Sequence, residues 1–278
     1  MFQTGMMIRI TAQTLLFIAL TLLTQIGGLA YILALLVGRR IWKSAPLNHI
    51  ITAVAFLLVY AGLHTISAKA APHFGRVPLP CINQADEMVW MQSPLYCLLN
   101  RHYVTSELED VVFQLSDYMN YAFPGTVTII LDAGFPFFDG FPLLPHLSHH
   151  DGRKLDLAYY YVNEEAIYVP GRTRSPIGYW AFEEPTSQST MPCANRDDWL
   201  TLRWDMNWFN RFLRPLKLDR QRTSEALHWL SSTGEEEGVS KILLEPHLEK
   251  MLDVESDNIR FQGCRAARHD DHIHIEVR

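Results

Sequence analysis

The chain has 278 residues, 48% of them hydrophobic, enough to bury a sizeable core and too many for a disordered segment. Its formal net charge is -6 and it carries no Lys/Arg run, which excludes nonspecific binding to nucleic acid. The apolar residues are unevenly spread, and that unevenness points to a membrane segment at the N-terminus.

Residues Ile10 to Val37 include no charged side chain, and a second apolar run goes from Ile50 to Ile66. Both suit bilayer spans of about 20 residues, so residues 1–70 are expected to form a transmembrane helical hairpin. Arg39, Arg40 and Lys43 lie between the runs and only Arg9 precedes them, so the positive-inside rule puts the connecting loop in the cytoplasm and both chain ends outside. The first run ends in arginines rather than in the small residues of a signal peptide. Ala68 and Ala70, after the second run, do have the spacing of a processing site. All four cysteines, Cys81, Cys97, Cys193 and Cys264, follow the second run, on the side of the membrane where disulfides persist. Of the three possible pairings, Cys81 with Cys97 and Cys193 with Cys264 is expected, the first being local and the second tying the middle of the chain to its end.

Residues 71–104 are rich in Pro and short polar groups without a period, and read as a linker docking on a domain formed by residues 105–278. Ser106 followed by Glu109 is a capping box, and Leu108, Val111, Val112, Leu115, Tyr118 and Met119 recur at helical spacing behind it. Thr126 to Phe135 read as a strand, followed by an aromatic loop whose phenylalanines are expected to pack rather than to cover a site. After a strand beginning at Lys154, residues 171–200 carry turn residues and no period, as a long ordered insertion would. Helices are expected over the segment before Pro215, over RTSEALHWLSST and over PHLEKMLDV, with Pro246 suited to a first turn; VSKILLEP and IRFQGC read as strands. Strands and helices mixed without βα repetition indicate an α+β domain with an antiparallel sheet and flanking helices.

The chemistry concentrates in two stretches. SHHDGRKLDL supplies His149, a turn glycine at Gly152 and Asp156 entering a strand, so that a tight reversal can bring one nitrogen and one carboxylate oxygen together. In the terminal RHDDHIHIEVR, period-two alternation puts Ile273, Ile275 and Val277 on one face and His272, His274 and Glu276 on the other, which is expected to be exposed. Two histidines, one carboxylate and an open fourth position describe a catalytic zinc site rather than a closed structural one. His146, His150 and Asp151 read as polar loop residues, with hydrogen bonding to the metal ligands as the alternative.

On these two motifs the sequence resembles the penicillin-insensitive murein endopeptidases of the LAS metallopeptidase group, which includes D-alanyl-D-alanine peptidases and the hedgehog signalling domain. The likeness spans roughly Thr126 to Arg278 and takes in DMNW, Asp205 to Trp208, and ILLEPHLEKML. Lys154 stands where the group usually has a small or acidic residue, and a membrane hairpin departs from the cleaved signal usual in that group. The resemblance implies a LAS or hedgehog-like fold, with Zn2+ held by His149, Asp156 and His274 lowering the pKa of its water to about 7. It further implies peptidoglycan peptides as substrate and a periplasmic domain on the bacterial inner membrane. Positions matching His269 and His272 are active-site residues in the murein endopeptidases, whereas other members use an acidic residue at the position of Asp271. The expected roles are His269 as general base and His272 as transition-state stabiliser, with Asp270 and Asp271 forming a turn. A noncatalytic binding or signalling module and a carboxypeptidase of the same fold are the alternatives.

Overall fold

The computed structural model describes residues 2–41, 45–83, 87–185, 192–193, 196, 201–204 and 206–278. Three helices open it: α1 (Phe2–Thr24), α2 (Gly27–Ile41) and α3 (Ala45–Ala70). The first apolar run is therefore not one helix. It breaks at Gln25, whose backbone is left-handed at φ 65°, and the Thr24 hydroxyl accepts from the Gly27 N–H at 2.8 Å to start the next helix. α2 folds back on α1 where glycine lets the backbones close, since a Cβ on Gly28 would run into the Thr21 hydroxyl and the Phe17 ring. It then runs against α3, with Gly38 beside Thr52 and with Ile26 and Ala30 clustered around Tyr60. The expected hairpin is thus corrected to three helices, and the start of α1 and the end of α2 point the same way. The start of α1 and the end of α3 consequently lie at opposite ends of the helical bundle rather than on one side. Two of the helices are long and apolar enough to cross a membrane, over Gly5–Thr24 and Leu47–Phe74, and Gly27–Gly38 is a shorter apolar stretch. Lys43 lies outside the described residues.

Residues 71–104 do more than dock. β1 (Val77–Pro78) pairs with β3 (Tyr103–Val104), β2 (Val89–Met91) joins the main sheet, and α4 (Pro94–Leu98) follows with Ser93 as its cap. The main sheet also takes β4 (Thr128–Ile130), β5 (Lys154–Ala158), β8 (Val239–Leu243), β9 (Ile259–Arg260) and β10 (His272–Val277), in the order β2-β4-β5-β10-β8-β9. Its centre is antiparallel as expected, but β2 runs parallel to β4 and β9 parallel to β8, so the sheet is mixed. The reason is that α5 (Ser106–Ala122) and α8 (Pro246–Leu252) carry the chain back between those strand pairs, and a helical return makes the next strand parallel. A two-stranded ribbon of β6 (Tyr161–Val162) and β7 (Lys217–Leu218) stands apart.

The helices on the core face are α5, α6 (Arg220–Ser231) and α8, with the single turn α7 (Thr233–Glu236) between α6 and β8. α5 starts at the expected cap itself and is capped one residue earlier, Thr105 accepting from the Leu108 N–H, and it buries Leu108, Val111, Val112, Leu115 and Met119. Before Pro215 only a 3-10 turn forms, Asn207–Phe212, because asparagine and aromatic residues are weak helix formers and Phe209 packs its ring on Trp180 and Trp208. Residues Leu155 and Leu157 of β5 and Ile273, Ile275 and Val277 of β10 meet these helices in one core. Disulfides join Cys81 to Cys97 and Cys193 to Cys264, the expected pairing.

Ile275 is fully buried and belongs to the central strand β10, which pairs with both β5 and β8. Ile275→Ala is expected to cost about 2–5 kcal/mol and to lower the melting temperature of the detergent-solubilised chain by on the order of 10 °C. An unchanged melting temperature would show that this strand is not central to the fold.

Candidate metal centre

Alternation along β5 and β10 sends Leu155, Leu157, Ile273 and Ile275 into the core and turns Asp156, His272 and His274 to the other face of the sheet. The register pairs His274 directly with Asp156, so two donor side chains stand side by side across one antiparallel pair. That face is not exposed as expected: His272 and His274 are 4% and 2% accessible, because the loop before β5 and the segment around Tyr179 cover it. His149 arrives from that loop after a reversal at Gly152, which has φ 70°. The Ala133 carbonyl lies 3.1 Å from His149 Nδ1 and can only accept, so Nδ1 carries the proton and Nε2 is the nitrogen turned to Asp156; burial lowers the pKa of this imidazole, but Asp156 outweighs it and the net shift is upward.

Three atoms then converge. His149 Nε2 is 3.2 Å from Asp156 Oδ1 and 3.1 Å from His274 Nδ1, and His274 Nδ1 is 2.8 Å from Asp156 Oδ1. Donor atoms about 2.0–2.1 Å from a tetrahedral zinc stand about 3.3 Å from one another, so these three match one face of such a shell. His146 comes in from the side: its Nδ1 is 2.7 Å from Asp156 Oδ2, and the Tyr179 hydroxyl donates to the same oxygen at 2.7 Å. His146, His149 and Asp156 form a buried or half-buried group able to hold a metal ion, their donor atoms within 4.8 Å of one another. Cys81, Cys97 and His102 form a second such group, but its two sulfurs are bonded to each other and supply no thiolate.

The remaining residues of HDDHIH surround this centre. Asp271 Oδ1 lies 2.5 Å from His272 Nδ1, and its Oδ2 accepts from the Trp180 N–H at 2.5 Å. The latter bond holds Trp180 in the left-handed region, at φ 66°, a conformation bulky residues rarely adopt. Asp271 is thus a hydrogen-bonding partner of His272 as well as part of the turn before β10. His269 packs its ring tilted against His272 and edge-on against His274, at centroid distances of 5.1 and 5.5 Å, and its Nδ1 has no hydrogen-bond partner among the described residues. Glu245, gripped by Arg203 at 2.8 and 3.0 Å, accepts from the His269 N–H. Asp270 pairs with Arg268, whose guanidinium lies 3.9 Å over the Phe182 ring.

Burial and neighbouring charge divide these groups. Burial would raise the Asp156 carboxyl, but His149, His272 and His146 outweigh it and hold it well below the usual carboxylate range. Burial takes His274 down to about 4 despite its bond to Asp156, leaving the neutral imidazole that a metal requires. For His272 the burial penalty is overcome by Asp156 and Asp271, which push it up to about 9 and make it a cation at neutral pH. Burial, reinforced by His272 and His274, carries His269 well below its ordinary value, so it is a neutral base.

These groups lie at the floor of a cleft of about 460 Å³ whose walls are largely apolar, with Leu95, Leu99 and Leu147 on one side and Leu202 and Trp204 on another. The phenylalanines of the 135–141 loop are not among its lining; Phe135 packs on Phe141, and Phe137 on Phe74. His150 is exposed and Asp151 pairs with Lys154, so neither enters the centre. Asp205 lies outside the described residues. Sequence reasoning passed over Arg101 and Asp132, a buried ion pair beneath His146, and Tyr179. A lone aspartate closing the apolar run TVTIILD was the available signal for the pair; Tyr179 sits in a stretch without period and left none.

Gly152 holds the turn that aims His149, and a Cβ there would fall 2.3 Å from Arg76 Nε. Gly152→Ala is therefore expected to shift the loop and weaken metal retention by at least tenfold on dialysis, read as metal per chain, with the fold intact by circular dichroism; undiminished retention would show that the turn does not set the centre. No protein-family model matches this chain and no curated protein matches it.

Proposed function

We propose that this chain is a membrane-tethered zinc metallopeptidase that hydrolyses peptide crosslinks or stem peptides of peptidoglycan on the periplasmic side of a bacterial inner membrane. The observation that carries this reading is the convergence of His149 Nε2, Asp156 Oδ1 and His274 Nδ1, all on buried residues, at the floor of an open cleft. Two imidazole nitrogens and one carboxylate oxygen are the donor set of a catalytic zinc. The location is supported by two helices long and apolar enough to span, by Arg40 at the end of α2, and by four cysteines all joined in disulfides. With three helices, the positive-inside rule puts the start of α1 and Arg40 in the cytoplasm and the domain outside.

When bound, zinc polarises a peptide carbonyl and activates water at neutral pH. The protein supplies the rest. Asp271 holds His272 by Nδ1, leaving Nε2, 3.6 Å from Asp156 Oδ1, directed into the centre, where a proton on it would stabilise negative charge on the carbonyl oxygen. His269 is neutral and its Nδ1 has no partner among the described residues, so it takes the proton from the attacking water. Both oxygens of Asp271 are already engaged, which makes it a positioning residue rather than the base.

The purified full chain is expected to hold about one zinc, and His274→Ala to lose it; equal zinc in the two proteins would place the metal elsewhere. With a crosslinked muropeptide as substrate, His269→Ala and His272→Ala are expected to lose about 10²- to 10⁴-fold in rate while keeping zinc, and Asp271→Asn to lose less. Full activity in both histidine variants would overturn these roles, and zinc without turnover in the parent chain would favour a noncatalytic module.

A further inference from the structure

The helical segment is too short, measured from its charges, to lift the domain clear of a bilayer. α2 has 15 residues, so about 22 Å separate Arg40 from the Gln25–Ile26 turn at a rise of about 1.5 Å per residue. Arg9 on α1 falls slightly farther from the same turn, at about 24 Å. A hydrocarbon core is about 30 Å thick, so with Arg9 and Arg40 at the inner surface the turn stops about 8 Å short of the outer one. α3 makes up the difference: Lys69 lies about 9 Å further along it than Leu63, which packs with Ile26 beside the turn.

The domain is bonded to that submerged level. Tyr60 donates to the Leu98 carbonyl at 2.6 Å and His64 Nε2 lies 2.8 Å from the Cys97 carbonyl, both on α4. The Phe137 N–H donates to Gln25 Oε1 at 3.1 Å. The surface there has matching chemistry. Residues 93–99 carry no charge, and from Ala133 to Leu147 the titratable residues are Asp139 and His146. Leu95, Leu98, Phe138, Leu144 and Leu147 are each 45% exposed or more, and all five lie on the two segments, α4 and the 133–147 loop, that are bonded to the helices. Leu95 and Leu147 are also walls of the cleft above the metal centre.

Resting on the membrane reading above, we propose that the cleft opens sideways into the outer leaflet between α4 and the loop ending at Leu147, and that its substrate is a peptide carried on a lipid. The peptide reaches His149, Asp156 and His274 while the chain that anchors it stays among Leu95, Leu98 and Leu147.

The chain has no free cysteine, so single nitroxide labels can be placed at will in vesicles of phosphatidylethanolamine and phosphatidylglycerol. Labels on Leu98→Cys and Leu147→Cys are expected to collide with oxygen in preference to a water-soluble nickel chelate, as a label on Leu57→Cys of α3 does, while one on Tyr121→Cys shows the reverse. Leu57 in lipid with Leu98 and Leu147 in water would overturn this inference alone; Leu57 in water would overturn the membrane reading beneath it. A stem pentapeptide with an N-terminal palmitoyl chain is expected to immobilise the Leu147 label at a concentration at least tenfold below the same peptide without the chain. Equal potency, or no effect of either, would overturn the lipid-carried substrate.

Discussion

A carboxylate with no access to water sits at the middle of this structure, and much of what surrounds it answers the cost of putting it there. Asp156 is fully buried, and an uncompensated carboxylate in such a place would cost several kcal/mol. Its Oδ2 takes hydrogen bonds from His146 and Tyr179, and its Oδ1 faces His149 and His274. Those partners come from the loop before β5, from the long insertion and from β10, three segments far apart in the chain. Satisfying one charge therefore fixes where all three must lie. Below it, Asp132 is met in the same way by Arg101, which draws the α4 segment into the same centre.

The parts of this arrangement that were legible in the sequence are those encoded by local period. Alternation in HIHIEV and KLDLA separates Ile and Leu from His and Asp without reference to the rest of the chain, and the glycine after His149 signals its own turn. The helix over 106–122 and the terminal strand follow from the same logic. The direction of the outer strands was not legible, because β2 and β9 are short and their pairing depends on helices that return the chain, not on their own residues. The burial of the histidine face was equally hidden. Period two says that His272 and His274 share a face with Glu276, but only the covering by the insertion decides that the face is closed.

The N-terminal misreading has the same origin. A run of uncharged residues reports length and hydropathy, and a single helix satisfies both. The break at Gln25 depends on Thr24 capping the next helix and on Gly28 allowing two helices to touch, which are properties of a pair rather than of a run. Within the sequence, loop polarity and turn formation are adequate explanations of His146 and Asp271. Their partners, Asp156 and the Trp180 backbone, lie 10 and 91 residues away.

Because β5 and β10 carry donors on one face and core residues on the other, the two requirements cannot vary independently. Inserting or deleting one residue in either strand would exchange a leucine for Asp156 or an isoleucine for His274, losing the centre and opening the core at once. Descendants of such a chain can explore new substrates only where length is free to change, in the walls contributed by α4, the loop ending at Leu147 and the insertion before α6. Diversity in this architecture should accordingly accumulate as loops of differing size around an almost unchanging pair of strands.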